Sequence, residues 1–79
     1  MELQRAVALR ISNLFIKHNM TRYVLCKKIV IPEQTLKNII DERKDIKLTT
    51  IAKIADGFGL SIEEFFADSL FNKATLDID

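Results

Sequence analysis

Two short helical patterns meet at a very tight turn in the middle of the chain, and this feature constrains the fold most. The first pattern has Thr21 as its N-cap and covers about eight residues. The second begins at Pro32, a residue favoured at the first position of a helix, and runs to Asp41. Only Val30 and Ile31 stand between them. The sequence therefore predicts two short helices joined by a tight turn.

Longer helical patterns precede and follow this pair. Apolar residues spaced by three and four predict a helix over residues 3–18, which ends at Asn19. After a charged loop, Thr49 or Thr50 is expected to cap a fourth helix that ends at Gly59. The side chains expected to face the core across these four helices are Leu3, Val7, Ile11, Leu14, Phe15, Leu25, Ile29, Leu36, Ile39, Ile40, Ile51, Ile54, Ala55 and Phe58.

A capping box and an irregular tail complete the chain. The pattern Ser61-Ile62-Glu63-Glu64 opens a short fifth helix through Phe66. Residues 68–79 show no convincing period. The apolar side chains of this tail and of the end of the fifth helix either form a dimer surface or fold over the chain's own core. The sequence leaves both possibilities open. These side chains are Phe65, Phe66, Leu70, Phe71, Leu76 and Ile78.

The composition agrees with one small helical domain. The chain has 79 residues, too few for two independent cores, and only two Gly and one Pro to supply β-turns. It has no apolar run long enough to span a bilayer, no signal-peptide pattern and a single Cys, so we expect a cytoplasmic protein. A lone Cys26 and a lone His18 form no metal cluster, and no catalytic pair or phosphate loop stands out. We therefore expect no enzyme activity, no cofactor and no metal.

The net charge of +1 conceals an uneven distribution. Residues 17–53 hold nine Lys or Arg against four Asp or Glu, whereas residues 54–79 hold one Lys against six acids. Two solvated surfaces of chance composition would explain this. The alternative is that the basic segment contacts phosphates.

The order of a long helix, two short helices with a tight turn and two further helices is typical of a helix-turn-helix domain. Over roughly residues 8–67 the chain resembles the phage repressor/Cro family of transcriptional regulators, also called Xre-type. The resemblance is carried by Arg10-Ile11, Leu14, Met20-Thr21, Leu25-Cys26-Lys27-Lys28, Ile31-Pro32, Thr35-Leu36, Ile39, Thr50-Ile51, Lys53-Ile54-Ala55-Asp56 and Phe58-Gly59-Leu60-Ser61-Ile62-Glu63-Glu64-Phe65-Phe66. It implies an all-α fold: a compact five-helix repressor-like DNA-binding domain over residues 1–67, with a C-terminal tail at 68–79 that is a candidate for dimer formation.

Three departures from the family pattern have structural consequences. Val30 in the turn and Glu42 after the third helix stand where the family commonly has glycine, so the turn is shaped differently or strain is tolerated. Phe15 and Ile40 stand where many members have an Arg and a Glu that form a partly buried ion pair. Because replacing both partners with apolar residues is often neutral, we expect Phe15 and Ile40 to touch.

The resemblance also implies roles for individual residues. Helix 32–41 would enter the major groove of double-stranded DNA, with the N-terminus of the second helix and the loop after the third on the backbone. The residues expected to contact bases are Glu33, Gln34, Lys37 and Asn38. Those expected to contact phosphates are Thr21, Arg22, Arg43, Lys44 and Lys47.

The protein would then be a sequence-specific transcriptional regulator, a repressor, that binds a palindromic or pseudo-palindromic operator as a homodimer. It would be encoded by a bacterium or phage and associated with the nucleoid. The alternative is a helix-turn-helix module used for protein contacts, as in an antitoxin or antirepressor. The acids Glu33, Asp41 and Glu42 near the presumed DNA face, together with the low net charge, favour that alternative.

Overall fold

A computed structural model describes residues 1–42 and 45–77. It contains five α-helices and one 3₁₀ turn, and no strand within those residues. The elements are α1 Leu3–His18, α2 Arg22–Ile29, α3 Glu33–Ile40, α4 Leu48–Gly57, α5 Ile62–Phe66 and the 3₁₀ turn Ser69–Phe71. The prediction of an all-α, five-helix domain is confirmed.

Most helix ends lie where the sequence places them. Asn19 adopts the left-handed conformation (φ 49°), and ends α1. Thr21 caps α2 by accepting a hydrogen bond from the Val24 N–H at 3.2 Å. Gly59 (φ 76°) follows the end of α4. At the start of α5, both hydrogen bonds of the predicted capping box between Ser61 and Glu64 are present. The bond that the Ser61 N–H donates lowers the pKa of the Glu64 carboxyl group.

Two helix starts differ from the prediction. Pro32 is the N-cap of α3, not its first helical residue, with an extended ψ of 141°. The prediction that Thr49 or Thr50 caps α4 is wrong, because α4 begins at Leu48 with Lys47 as its N-cap. The Lys47 carbonyl accepts the Thr50 N–H at 3.0 Å, which places both threonines inside the first turn.

The predicted core is largely the observed one. Its buried side chains come from all five helices and from the end of α4: Val7, Ile11, Leu14, Leu25, Cys26, Leu36, Ile39, Ile51, Ile54, Ala55, Phe58 and Phe65. Phe15, Ile29 and Ile40 pack against this cluster while partly exposed. Leu3 was expected inside but is 46% exposed, because the helix begins there and its side chain lies at the rim of the core.

Helices α2 and α4 cross at Gly57. A Cβ atom at this position would lie 2.5 Å from Leu25 Cδ1 and 2.6 Å from Ile29 Cγ2. No Cβ atom is tolerated at such distances without movement of its neighbours. The glycine therefore lets α2 pack closely on α4, and this sets the position of the turn that follows α2.

Arg10 fastens α1 to α5 and to the start of the tail. Its Nε donates to the Phe65 carbonyl at 2.7 Å, and Nη2 donates to the Glu64 carbonyl at 3.0 Å. The Asp68 carboxylate lies 3.4 Å from Nη1, and only 12% of the arginine side chain is exposed. Since the last carbonyls of a helix lack intrahelical donors, Arg10 satisfies two of those at the end of α5.

The tail lies on the chain's own core as far as it is described. The ring centroid of Phe71 is 4.8 Å from that of Phe66 and 6.2 Å from that of Phe65. The Asp77 N–H donates to the Met1 carbonyl at 2.7 Å, so the tail returns to the start of α1. Phe65 is fully buried, which favours folding over the core as its role, the second of the two possibilities left open by the sequence; Ile78 lies outside the described residues.

Candidate nucleic-acid interface

The turn between α2 and α3 is left-handed at Val30. This residue has φ 54° and ψ 58°, and the Ile31 N–H donates to the Cys26 carbonyl at 3.3 Å. Of the two possibilities that the sequence left open, strain is the one observed. Glu42, at φ 59°, is also a non-glycine residue with left-handed φ, so one such residue stands beyond each end of α3.

Helix α3 is amphipathic, with an apolar face in the core and a polar face outward. Leu36 is fully buried and Ile39 is 8% exposed, and together they hold the helix against the domain. On the outer face, the side chains of Glu33, Gln34 and Lys37 are exposed, whereas Asn38 is half-buried. The exposure of Glu33, Gln34 and Lys37 agrees with the prediction that they face outward from α3, whereas Asn38 is only partly accessible.

A shallow groove lies along each side of that outer face. One groove joins the start of α2 to α3 and is lined by Arg22, Glu33, Gln34 and Lys37. The other joins α3 to the start of α4, and its lining is Thr35, Asn38, Ile39, Asp45, Ile46, Lys47 and Thr50. Among the residues that the structure describes, two cations, Arg22 and Lys37, border the first groove, and Lys47 borders the second.

A hydrogen bond links the two amide side chains on the outer face. Gln34 Nε2 donates to Asn38 Oδ1 at 2.9 Å. Residues four apart on a helix are neighbours on its surface, so the bond runs along the helix axis. It connects one lining residue of each groove.

The predicted phosphate-contacting residues occupy different positions around α3. Arg22 and Lys47 lie at opposite edges of the outer face, one in each groove. The Thr21 hydroxyl is engaged in capping α2, which leaves the nearby backbone N–H groups at the start of that helix as further donors. The predicted residues Arg43 and Lys44 lie outside the described residues.

The start of α4 adds donors that the sequence analysis missed. No side chain caps this helix in the described part of the chain, and its N-cap residue is the cation Lys47. The N–H groups of Leu48 and Thr49, which no side chain caps, thus lie beside a positive charge at the edge of the second groove. In the sequence, Lys47 directly precedes the first residue of α4, but the two threonines that follow Leu48 are better N-cap residues and led to a later predicted start.

Two acids that flank the charged loop are directed toward α1. Asp45 Oδ1 accepts a hydrogen bond from Gln4 Nε2 at 2.5 Å. The Glu42 carboxylate lies 3.7 Å from Arg5 Nη1. Glu42 was one of the acids that favoured a protein-binding function, and its carboxylate faces the N-terminal helix here.

The remaining candidate reactive groups serve packing. Cys26 is buried in the core, and burial, together with the nearby Glu33 carboxylate, raises the pKa of its thiol. The His18 ring lies 5.3 Å from the Phe58 ring at the end of α1. Within residues 1–42 and 45–77, no group of three or more His, Cys, Asp and Glu side chains could hold a metal ion.

A short left-handed turn, a supported outer helix and a polar face between two cation-bordered grooves are the geometry of a helix-turn-helix. Residues 10–69 match the Cro/C1-type HTH DNA-binding domain. The chain belongs to this family. This confirms the resemblance noted in the sequence and identifies a DNA-binding domain.

No curated protein and no solved structure was found to match the chain. None of the helices in the described residues is long and apolar enough to cross a membrane.

Proposed function

We propose that this Cro/C1-type domain is a sequence-specific transcriptional repressor that inserts α3 into the major groove of double-stranded DNA. The observation that carries the proposal is the outer face of α3, where exposed amide and charged groups stand on a helix fixed from behind by Leu36 and Ile39. Side chains that read bases must be accessible and held by a rigid element, and this face meets both conditions.

The bases are contacted by Glu33, Gln34, Lys37 and Asn38. Amide side chains pair with adenine, a glutamate accepts from the amino group of cytosine, and a lysine donates to guanine. Phosphates are contacted from Arg22 on one side and Lys47 on the other, with Thr21, Arg43 and Lys44 as further contacts. Cations at both edges of the inserted helix fix its orientation on the duplex.

We also propose that two copies bind a pseudo-palindromic operator. One domain of this kind reads only a few base pairs, and a second copy related by two-fold symmetry doubles the contacted sequence. The candidate apolar side chains that remain partly exposed for the contact between copies are Phe66, Leu70, Phe71 and Leu76. Such a protein would act in the cytoplasm of a bacterium, encoded by its genome or by a phage, in association with the nucleoid.

Titration of the protein against random and selected duplexes at two salt concentrations tests the proposal. A DNA-binding protein loses affinity steeply as salt rises, since cations on the protein displace counterions from phosphates. Absence of saturable binding at low salt would refute the proposal and favour the protein-contact function. Sedimentation of the complex with a selected duplex would show whether one or two copies bind.

The variants Gln34→Ala and Asn38→Ala separate base contacts from stability. Each is expected to weaken binding to the selected duplex by about 1–3 kcal/mol and to leave the melting temperature nearly unchanged, because both side chains lie on the outer face. Asn13→Ala, the same removal of an amide at an exposed position on α1, is the matched control. Equal losses on selected and random DNA would show that these amides do not read bases.

A further inference from the structure

We propose that Gln34 and Asn38 form one coupled base-reading pair, in which Asn38 orients the Gln34 amide for adenine and itself donates to guanine or thymine. The inference rests on the proposed function, since it concerns how the outer face of α3 reads a duplex. It differs from the expectation that each amide would contact adenine independently.

The geometry makes Asn38 the anchored member of the pair. Its side chain is half-buried and lines the groove toward α4, whereas Gln34 is exposed. Asn38 Oδ1 accepts the hydrogen bond from Gln34 Nε2 at 2.9 Å. Glutamine has one more rotatable bond than asparagine, and a free glutamine loses that freedom when it binds a base. The bond to Asn38 orders the Gln34 amide before DNA arrives.

The same bond fixes what Gln34 offers to a base. A glutamine amide carries one acceptor oxygen and two N–H donors. One donor is directed to Asn38, so Oε1 and one N–H remain. In the major groove, adenine presents an amino donor and the N7 acceptor, which this remaining pair of groups complements. Guanine presents two acceptors at that edge, which one N–H and one oxygen cannot both satisfy.

The bond also changes what Asn38 offers. Because Oδ1 is turned toward Gln34, the groups of Asn38 that we expect a base to meet are the two N–H donors of Nδ2. Two donors match the O6 and N7 acceptors of guanine, and one of them matches O4 of thymine. Asn38 in this pair therefore selects guanine or thymine at its own base, whereas an unpaired asparagine pairs with adenine through both its oxygen and its nitrogen.

Selection from a random duplex library, followed by titration against duplexes that vary at the two selected positions, tests the pair. The wild type is expected to select adenine at one position and guanine or thymine at the neighbouring position. In Asn38→Ala the preference for adenine at the Gln34 position should fall about three- to tenfold, as expected for coupled neighbours.

Asn38→Asp is the matched variant, because it keeps an oxygen that accepts from Gln34 but has no donor. It should retain the adenine preference at the Gln34 position and lose the preference for guanine or thymine at its own. Preferences are compared as affinity ratios within one variant, so the added negative charge, which weakens binding to all duplexes, cancels. Thermal melts establish that both variants are folded.

Three outcomes would overturn the inference. The first is an unchanged adenine preference in Asn38→Ala, the second is loss of that preference in Asn38→Asp, and the third is selection of adenine at both positions by the wild type. Each of these leaves salt-dependent binding of the wild type intact, so the proposed function would survive. Failure of the wild type to bind any duplex would instead refute the proposed function and the inference together.

Discussion

Replacement of Val30 by glycine is expected to stabilise the protein, although it removes an apolar side chain. Val30 has φ 54° in the turn between α2 and α3, and its side chain is 84% exposed. An L-residue in this left-handed region costs about 1–2 kcal/mol, because Cβ crowds the following carbonyl oxygen. Glycine has no Cβ and avoids that cost.

Two losses oppose the gain. Glycine has greater freedom in the unfolded chain, which costs about 0.5–1 kcal/mol. Full burial of a valine side chain contributes about 1.5–3 kcal/mol, so at this exposure its removal costs only a few tenths of a kcal/mol. The expected net effect of Val30→Gly is a stabilisation of about 0.5 kcal/mol, which raises Tm by about 2–4 °C for a domain of this size.

Val24→Gly is the matched control, since it makes the same chemical change inside α2. Val24 is helical and 49% exposed, so the variant loses about half of the side-chain burial and adds the helical penalty of glycine without any relief of strain. Its expected destabilisation is about 1.3–2.5 kcal/mol by the same reasoning. Urea unfolding followed by circular dichroism measures both variants. Equal destabilisation of the two would show that the left-handed geometry of the turn stores no strain.

Three further substitutions test the packing of the domain. Arg10→Met should lower the free energy of unfolding by about 3 kcal/mol, because the α5 carbonyls lose charged donors. Chemical denaturation measures this change. A change within experimental error would show that Arg10 does not hold α1 against α5. Gly57→Ala should destabilise the protein by about 1–2 kcal/mol. The new methyl group would overlap Leu25, and the free-energy cost of that overlap exceeds the gain from the higher helix propensity of alanine. A raised Tm would contradict this. Phe15→Arg should cost about 2 kcal/mol, because it removes an aromatic contact and places an unpaired cation beside Ile40 in a shared pocket; an unchanged urea midpoint would refute it.

The helices and core were predictable because each helix carries its own end signals and a clear apolar face. Thr21, Gly59 and the capping box at Ser61 determine boundaries through local hydrogen bonds, which depend little on the rest of the fold. The start of α4 was not predictable in this way. Lys47 and two threonines compete for the N-cap, and Lys47 occupies it although N-cap preferences favour a threonine.

The interactions that join distant segments could not be predicted from local patterns. Arg10 is three residues after Val7 and four before Leu14, on the buried face of α1, so the sequence signals that a cation there needs a partner. It does not reveal that the partners are carbonyls at the end of α5. The bond between Gln34 and Asn38 depends on two side-chain conformations, and the spacing of four permits it without requiring it.

Helix α3 is too short to be stable alone. Different residues of this helix can therefore determine its stability and its base preference. Isolated helices of eight residues are not populated in water, so its order comes from the contacts of Leu36 and Ile39 with the core. The polar side chains on the opposite face contribute little to those contacts. Substitutions at Gln34 should therefore alter base preference while changing the free energy of unfolding by less than about 0.5 kcal/mol. Val30 and Glu42, with left-handed φ beyond either end, fix where the chain enters and leaves the helix, so the outer face keeps its orientation when its side chains change.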